Sequence, residues 1–178
     1  MEITLKNVKI NTAFSEETIC FTADVYVDGV KTAYARNHGH GGCTSIDHFD
    51  NPIAKLTLKI AEAYCKALPP VPSEFFEDGL PMDLEMLIDE LVDAEDKKKF
   101  DKKQAKKIEK DIEKGIVYGV KGSDNYKIIT WKNRTIAQVL ALPNGKAAII
   151  KALADINAKL GKGETIWNTE LINTIYGF

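Results

Sequence analysis

All three histidines of the chain lie in one short segment, residues 37–48, together with a cysteine and three of the 12 glycines. His38 and His40 point to the same side of an extended chain because side chains alternate along a strand, and such a pair is a geometry that binds zinc. Cys43 and His48 would complete a four-ligand set. Structural zinc sites usually join two separated pieces of chain, whereas these residues share one glycine-rich loop. The metal interpretation is therefore the weaker one, and we expect no metal and no cofactor.

The same loop could bind an anion through its backbone. Gly39, Gly41 and Gly42 permit positive φ angles and close approach, so their amides, with the hydroxyls of Thr44 and Ser45, could surround a phosphate or a carboxylate. The spacing matches neither the Walker pattern nor the dinucleotide-binding glycine pattern. We therefore predict an anionic ligand, such as a nucleotide, without predicting a known nucleotide-binding fold.

The elements that must position this loop are two strands of a hairpin. Residues 18–27 and 30–37 alternate between apolar and polar side chains, and the Asp28-Gly29 pair between them suits a two-residue turn with positive φ angles. A bulge is expected near Lys6-Asn7 in the strand that precedes this hairpin, because the parity of its apolar residues changes there.

The hairpin register predicts an unusual place for an arginine. With Val27 opposite Val30, Phe21 faces Arg36, which puts Arg36 at the end of the apolar face. The guanidinium then either binds an anion or pairs with an internal acid such as Asp24 or Asp47. The predicted ligand-binding residues are Arg36, Asn37, His38, Gly39, His40, Gly41, Gly42, Thr44 and Ser45.

The whole chain is predicted to be a single α+β domain, residues 1–178, with an antiparallel sheet built from two hairpins and packed helices. Asn51-Pro52 should start a helix that lies on the sheet through the stripe Ile53, Leu56, Ile60, Tyr64, Ala67 and Leu68. Residues 83–114 predict a long helix, about 48 Å at the usual rise per residue, whose charged part 95–114 either projects or is separated by a break near residues 95–97. The C-terminal segment 163–178 should dock on the core.

Composition excludes several classes of function. The 178 residues carry a net charge of −2, which gives no global attraction to nucleic acids or acidic membranes. The lysine-rich stretch Lys97–Lys107 could contact phosphates, but a solvated helix surface is the favoured interpretation. No membrane span is predicted, and three irregularly spaced cysteines suit a reducing compartment, so we expect a cytoplasmic protein.

Support for catalysis is weak. Neither Cys20 nor Cys43 lies in a recognisable catalytic turn, and the carboxylates Asp89, Asp93 and Asp96 are predicted on a solvated helix face. A binding protein is therefore favoured over an enzyme. Two alternatives stay open: a small metal-dependent or nucleic-acid-processing enzyme that uses the three histidines, and a structural or virion-associated oligomer.

Several strings of residues resemble a family of uncharacterised short proteins carried by phages and integrated mobile elements of gut bacteria. They are the segments 21–29, 35–44, 63–66 with 68–71, and 129–132. The resemblance implies a small accessory protein made in the host cytoplasm during infection, of the kind that neutralises host defence by binding. On this basis we expect a non-enzymatic binder of an anionic ligand or a host protein through the loop 37–48.

Overall fold

A computed structural model of the chain describes residues 1–177, and it confirms the α+β class through helices combined with antiparallel sheets. In chain order the elements are β1 (Ile3–Ile10), β2 (Phe21–Val27), β3 (Val30–Asn37), β4 (Ser45–His48), α1 (Pro52–Lys66), α2 (Leu84–Lys114), β5 (Gly115–Val120), β6 (Tyr126–Thr130), α3 (Ile136–Leu140), α4 (Gly145–Asn157), β7 (Glu164–Ile166) and α5 (Thr169–Tyr176).

The chain divides into two compact units, Met1–Lys99 and the part from Phe100 onward, where the sequence predicts one domain. The two predicted hairpins belong to separate sheets, one with the order β1-β2-β3-β4 and one with the order β6-β5-β7. Each unit has its own cluster of buried apolar side chains. The division follows from α2, whose buried residues end at Val92, so its charged remainder contributes no fully buried side chain.

Local turn chemistry shapes the sheet of the first unit as the sequence predicts. Asp28 and Gly29 have φ angles of 47° and 80°, which confirms the two-residue turn between β2 and β3. The register between β1 and β2 shifts between Lys6 and Lys9, and Asn7 has a positive φ of 53°, which confirms the bulge. One face of this sheet is covered by α1 and by the first turns of α2.

Helix α1 begins as predicted but presents the opposite face to the sheet. Asn51 caps it by accepting a hydrogen bond from the Ala54 amide at 2.7 Å, and Pro52 occupies the first turn. The buried side chains are Ala54, Leu58, Ala61 and Cys65. The predicted sheet-facing stripe is wrong, because only Leu68 of its residues is half-buried and the others are exposed: Ile53, Leu56, Ile60, Tyr64 and Ala67.

The size of the residues on the sheet explains this orientation. The inward positions of β3 at the helix are Ala33 and Ala35, both fully buried. Two small surfaces let the helix approach the sheet closely, and larger side chains would hold them apart. The face of α1 that carries Ala54 and Ala61 therefore packs on the sheet, and most of the large apolar residues of the helix point to solvent.

Helix α2 is continuous over its 31 residues, so the break considered near residues 95–97 does not occur. Asp83 precedes it and accepts a hydrogen bond from the Met86 amide at 2.8 Å, as an N-cap does. Leu84, Ile88 and Val92 fix its first turns in the core of the first unit.

In the second unit, β5 pairs with β6 and β7, and α3, α4 and α5 contribute to its core. The predicted C-terminal segment forms β7 and α5, with Leu171 and Ile175 buried. Phe178, the last residue of that predicted segment, lies outside the described residues.

Candidate binding site

The predicted position of Arg36 is wrong because the hairpin contains a second irregularity. The β2–β3 register shifts between Val25 and Tyr26, and Arg36 lies opposite Thr22 rather than Phe21. A shift of one residue moves a side chain to the other face of a sheet. Arg36 therefore points away from the apolar face and is exposed.

The partner of Arg36 is one of the two acids considered from the sequence. Its Nη2 atom lies 3.7 Å from Oδ2 of Asp47, and both side chains are about half exposed or more, at 48% and 63%. Exposed pairs of this kind contribute little to stability. Arg36 thus makes a surface ion pair with the neighbouring strand, outside the lining of the cavity described below.

The inward position opposite Phe21 is taken by Asn37, which is buried and organises the loop. Its Oδ1 accepts hydrogen bonds from the Thr18 hydroxyl at 2.9 Å and the Gly39 amide at 2.8 Å. Its Nδ2 donates to the Gly42 carbonyl at 2.8 Å and the Thr44 hydroxyl at 3.1 Å. One buried amide side chain therefore fixes the residues on both sides of the glycines.

Two of the three glycine amides that the anion hypothesis uses, and the amide of Thr44, donate hydrogen bonds inside the protein. The Gly39 amide donates to Asn37, the Gly41 amide donates to the Thr18 hydroxyl at 3.3 Å, and the Thr44 amide donates to Oε1 of Glu85 at 2.8 Å. A backbone donor with a good internal acceptor gains little from a second one. These hydrogen bonds stabilise the conformation of the loop within the first unit.

Gly39 shows why this loop needs glycine. Its φ is 89°, and a Cβ atom there would contact the Phe14 carbonyl oxygen and lie 2.9 Å from Cβ of Cys20. Its own carbonyl accepts hydrogen bonds from the amides of Glu16 and Glu17 at 2.9 and 3.1 Å. The glycine thus ties the loop to the chain that enters β2.

The four candidate metal ligands do not form a site in the part of the chain that the structure describes. No group of three or more histidine, cysteine, aspartate or glutamate side chains within residues 1–177 could hold a metal ion. His40 instead lies with Nδ1 3.1 Å from Oε2 of Glu16. His38, Cys43 and His48 are exposed, as is Ser45 of the predicted ligand-binding set.

A carboxylate that sequence reasoning assigned to solvent is part of this region. Asp89 is half-buried, and its Oδ1 accepts a hydrogen bond from the Thr44 hydroxyl at 2.6 Å. Burial raises the pKa of Asp89 above its ordinary value, and the nearby charges of Glu85 and Asp93 raise this pKa further, whereas the Thr44 hydrogen bond opposes the change. The predicted solvated face is therefore wrong for Asp89.

Asp89 and Asn37 both line a cavity of about 430 Å³ in the first unit. Its lining combines four carboxylates and three apolar side chains with polar groups: Ser15, Glu16, Glu17, Thr18, Ile19, Phe21, Asn37, Asp89, Val92 and Asp93. No lysine, arginine or histidine belongs to this lining. The cavity therefore favours a positively charged group beside an apolar wall.

Of the predicted ligand-binding residues, only Asn37 lines the cavity. Sequence patterns did not identify Asp89 and Asp93 as cavity residues, because their place in the lining depends on α2 lying beside β2, and no local pattern encodes that arrangement. The one available signal is the spacing of Asp89 and Asp93, which places both on one side of the helix, next to Val92.

The second unit has a larger open groove of about 670 Å³, lined by a mixture of apolar and polar residues from α2, α3, α5 and the segments next to α3 and α5. Its buried polar residue, Asn168, donates to the carbonyls of Ile112 and Gly115 and accepts from the Val117 amide. These hydrogen bonds give Asn168 a structural role, and the cavity of the first unit is the better candidate site.

Comparison with protein-family models, with curated proteins and with solved structures finds no match to this chain. Within residues 1–177, no helix combines the length and the apolar character needed to cross a bilayer.

Proposed function

We propose that this chain is a non-enzymatic binding protein that receives a basic side chain of another protein in the cavity of its first unit. The observation that carries the proposal is the lining itself, four carboxylates and three apolar side chains without a basic residue. Its volume falls in the range typical of ligand sites. A binding role was expected from the sequence, but this geometry favours a ligand of the opposite charge.

Arginine and lysine match both parts of the lining. Their aliphatic stems can pack against Ile19, Phe21 and Val92 while the charged end reaches the carboxylates of Asp89 and Asp93. Arginine is the better fit, because a planar guanidinium can donate to two carboxylates at once.

An anionic ligand of the loop stays a prediction that this geometry does not favour. The amides of Gly39, Gly41 and Thr44 already have internal acceptors, and an anion in the cavity would meet Glu16, Glu17, Asp89 and Asp93. The role as a phage accessory that opposes host defence likewise stays a prediction, and it rests on the resemblance alone.

A titration followed by NMR tests the proposal. We expect the peptide acetyl-Gly-Arg-Gly-amide to shift the amide resonances of residues 15–21 and 89–93, and its glutamine counterpart to leave them unchanged. Asp93→Asn should weaken binding by a factor of up to about five, the upper end of the roughly 0.2–1 kcal/mol typical of one exposed ion pair. Asp93 is exposed, so this change leaves the core intact.

The matched control is Glu90→Gln, which removes one negative charge from the same helix at an exposed position outside the cavity lining. It should leave arginine binding nearly unchanged. If both variants weaken binding of the arginine peptide equally, the loss comes from the change in net charge and not from the cavity. If inorganic phosphate shifts the amide resonances of the loop 37–48 and the arginine peptide shifts none, the anion hypothesis is restored.

A further inference from the structure

The exposed apolar side chains of α1 form a continuous stripe. Ile53, Leu56, Ile60 and Tyr64 are exposed to 69%, 61%, 49% and 36%, and their spacing of three and four residues aligns them along one side of the helix. The opposite side of α1 is buried on the sheet. The stripe is therefore a solvent-facing surface on a firmly held element.

The stripe is as large as the largest apolar patches found on monomers, and it is smaller than one side of a standard protein–protein interface. Its exposed fractions correspond to roughly 400 Å² of surface, within the ~300–600 Å² of the largest apolar patches on monomers, which are often functional. Each partner of a standard complex buries about 800 Å². A stripe about 11 residues long matches three turns of a partner helix.

Charge along the stripe is one-sided. Helical periodicity places Lys55, Lys59 and Lys66 along one border, with Glu62 as the single acid on that side. The opposite border carries Thr57. A complementary partner would place acidic residues beside the three lysines and apolar residues on the stripe.

We propose that the outward stripe of α1 binds an amphipathic helix of a partner protein whose apolar face is bordered by acidic residues. An antiparallel second copy fits less well, because the lysine borders of the two copies would lie side by side and repel each other. A membrane surface fits less well because the lysines follow one border only, whereas a helix lying in a bilayer is flanked by polar residues on both sides. This surface is separate from the cavity lining, so it stands independently of the proposed function.

The test uses two synthetic helical peptides with the same leucine stripe, one with glutamate along a border and one with lysine there. We expect the glutamate peptide to bind the full-length chain at least tenfold more tightly at low ionic strength. Leu56→Gln should weaken this binding at least fivefold, and Lys59→Glu should reverse the preference between the peptides. Both positions are exposed on a helix, so the fold should be retained, which circular dichroism checks.

The control is Ile150→Gln, a similar change at an exposed position of α4 in the second unit, which should leave peptide binding unchanged. Equal affinity for both peptides, or no binding of either, would overturn the proposal. Binding to vesicles that contain phosphatidylserine in place of the peptides would assign the stripe to a lipid surface. Self-association that Leu56→Gln abolishes, measured by sedimentation, would assign it to a second copy.

Discussion

Replacing Asn37 with alanine should destabilise the first unit far more than any change at the neighbouring arginine. The variant loses four hydrogen bonds, two accepted from Thr18 and Gly39 and two donated to Gly42 and Thr44. At about 0.5–1.5 kcal/mol each, they sum to roughly 2–6 kcal/mol, and access of water to the loop should reduce the loss to about 2–4 kcal/mol. Urea denaturation measures the free energy of unfolding, and hydrogen exchange at the Gly39 and Thr44 amides reports on the loop.

Arg36→Ala is the comparison that makes this result decisive. Because Arg36 makes only an exposed ion pair with Asp47, its loss should cost about 1 kcal/mol or less. The register predicted from sequence alone would place Arg36 inward and Asn37 outward, which gives the opposite order of effects. A larger loss of stability for Arg36→Ala than for Asn37→Ala would therefore refute the shifted register and the description of the loop.

Two further changes test the same region. Asp89→Asn keeps an oxygen that accepts the Thr44 hydrogen bond and removes a half-buried charge. Because the pKa of Asp89 is higher in the folded state than in the unfolded state, the parent protein loses the stability linked to this carboxyl as the pH rises from the unfolded-state pKa to the folded-state pKa. The variant should therefore gain stability relative to the parent across that pH interval and keep the gain up to neutral pH, as measured by denaturation at several pH values. A relative loss of stability with rising pH would mean that the fold stabilises the ionised form of Asp89. Gly39→Ala should cost about 1–3 kcal/mol through its positive φ and the Phe14 carbonyl, whereas Gly42→Ala, with open space and no such φ, should stay within about 0.5 kcal/mol, and equal melting temperatures for the two variants would contradict the loop geometry.

Features that depend on a few consecutive residues could be predicted from the sequence. The positive φ angles at Asp28 and Gly29 follow from the backbone preferences of an Asp-Gly pair, and the cap at Asn51 follows from a side chain that bonds an amide three residues on. The capping box of α3 is of the same kind, since Thr135 and Gln138 satisfy each other's amides. In each of these cases, residues within a few positions of one another determine the backbone conformation.

Features that depend on how one element packs against or pairs with another could not be predicted from the sequence. The orientation of α1 is decided by Ala33 and Ala35 on β3, which make a close approach more favourable than burial of the larger stripe. Periodicity identifies an apolar stripe but does not say whether it meets the sheet. The irregularity near Val25 is also invisible locally, and it decides which of Arg36 and Asn37 faces inward.

The candidate site depends on the same non-local information. Asp89 looks like a solvated acid in sequence, but the fold leaves it half-buried and in contact with Thr44, 45 positions earlier in the chain, which donates a hydrogen bond to it. Burial and neighbouring acids then raise its pKa. A glycine-rich loop could thus be recognised as unusual, while the charge of the cavity beside it could be found only from the fold.

The strand order of the two sheets has a consequence for how the chain acquires its structure during synthesis. In the first unit each strand pairs with the strand made just before it, β1 to β2, β2 to β3 and β3 to β4, so pairing can proceed as the chain emerges. In the second unit β7 pairs with β5 only after α3 and α4 have been made. The N-terminal sheet can thus be complete while the C-terminal sheet still lacks an edge strand, and closing a loop of that length is the slower event.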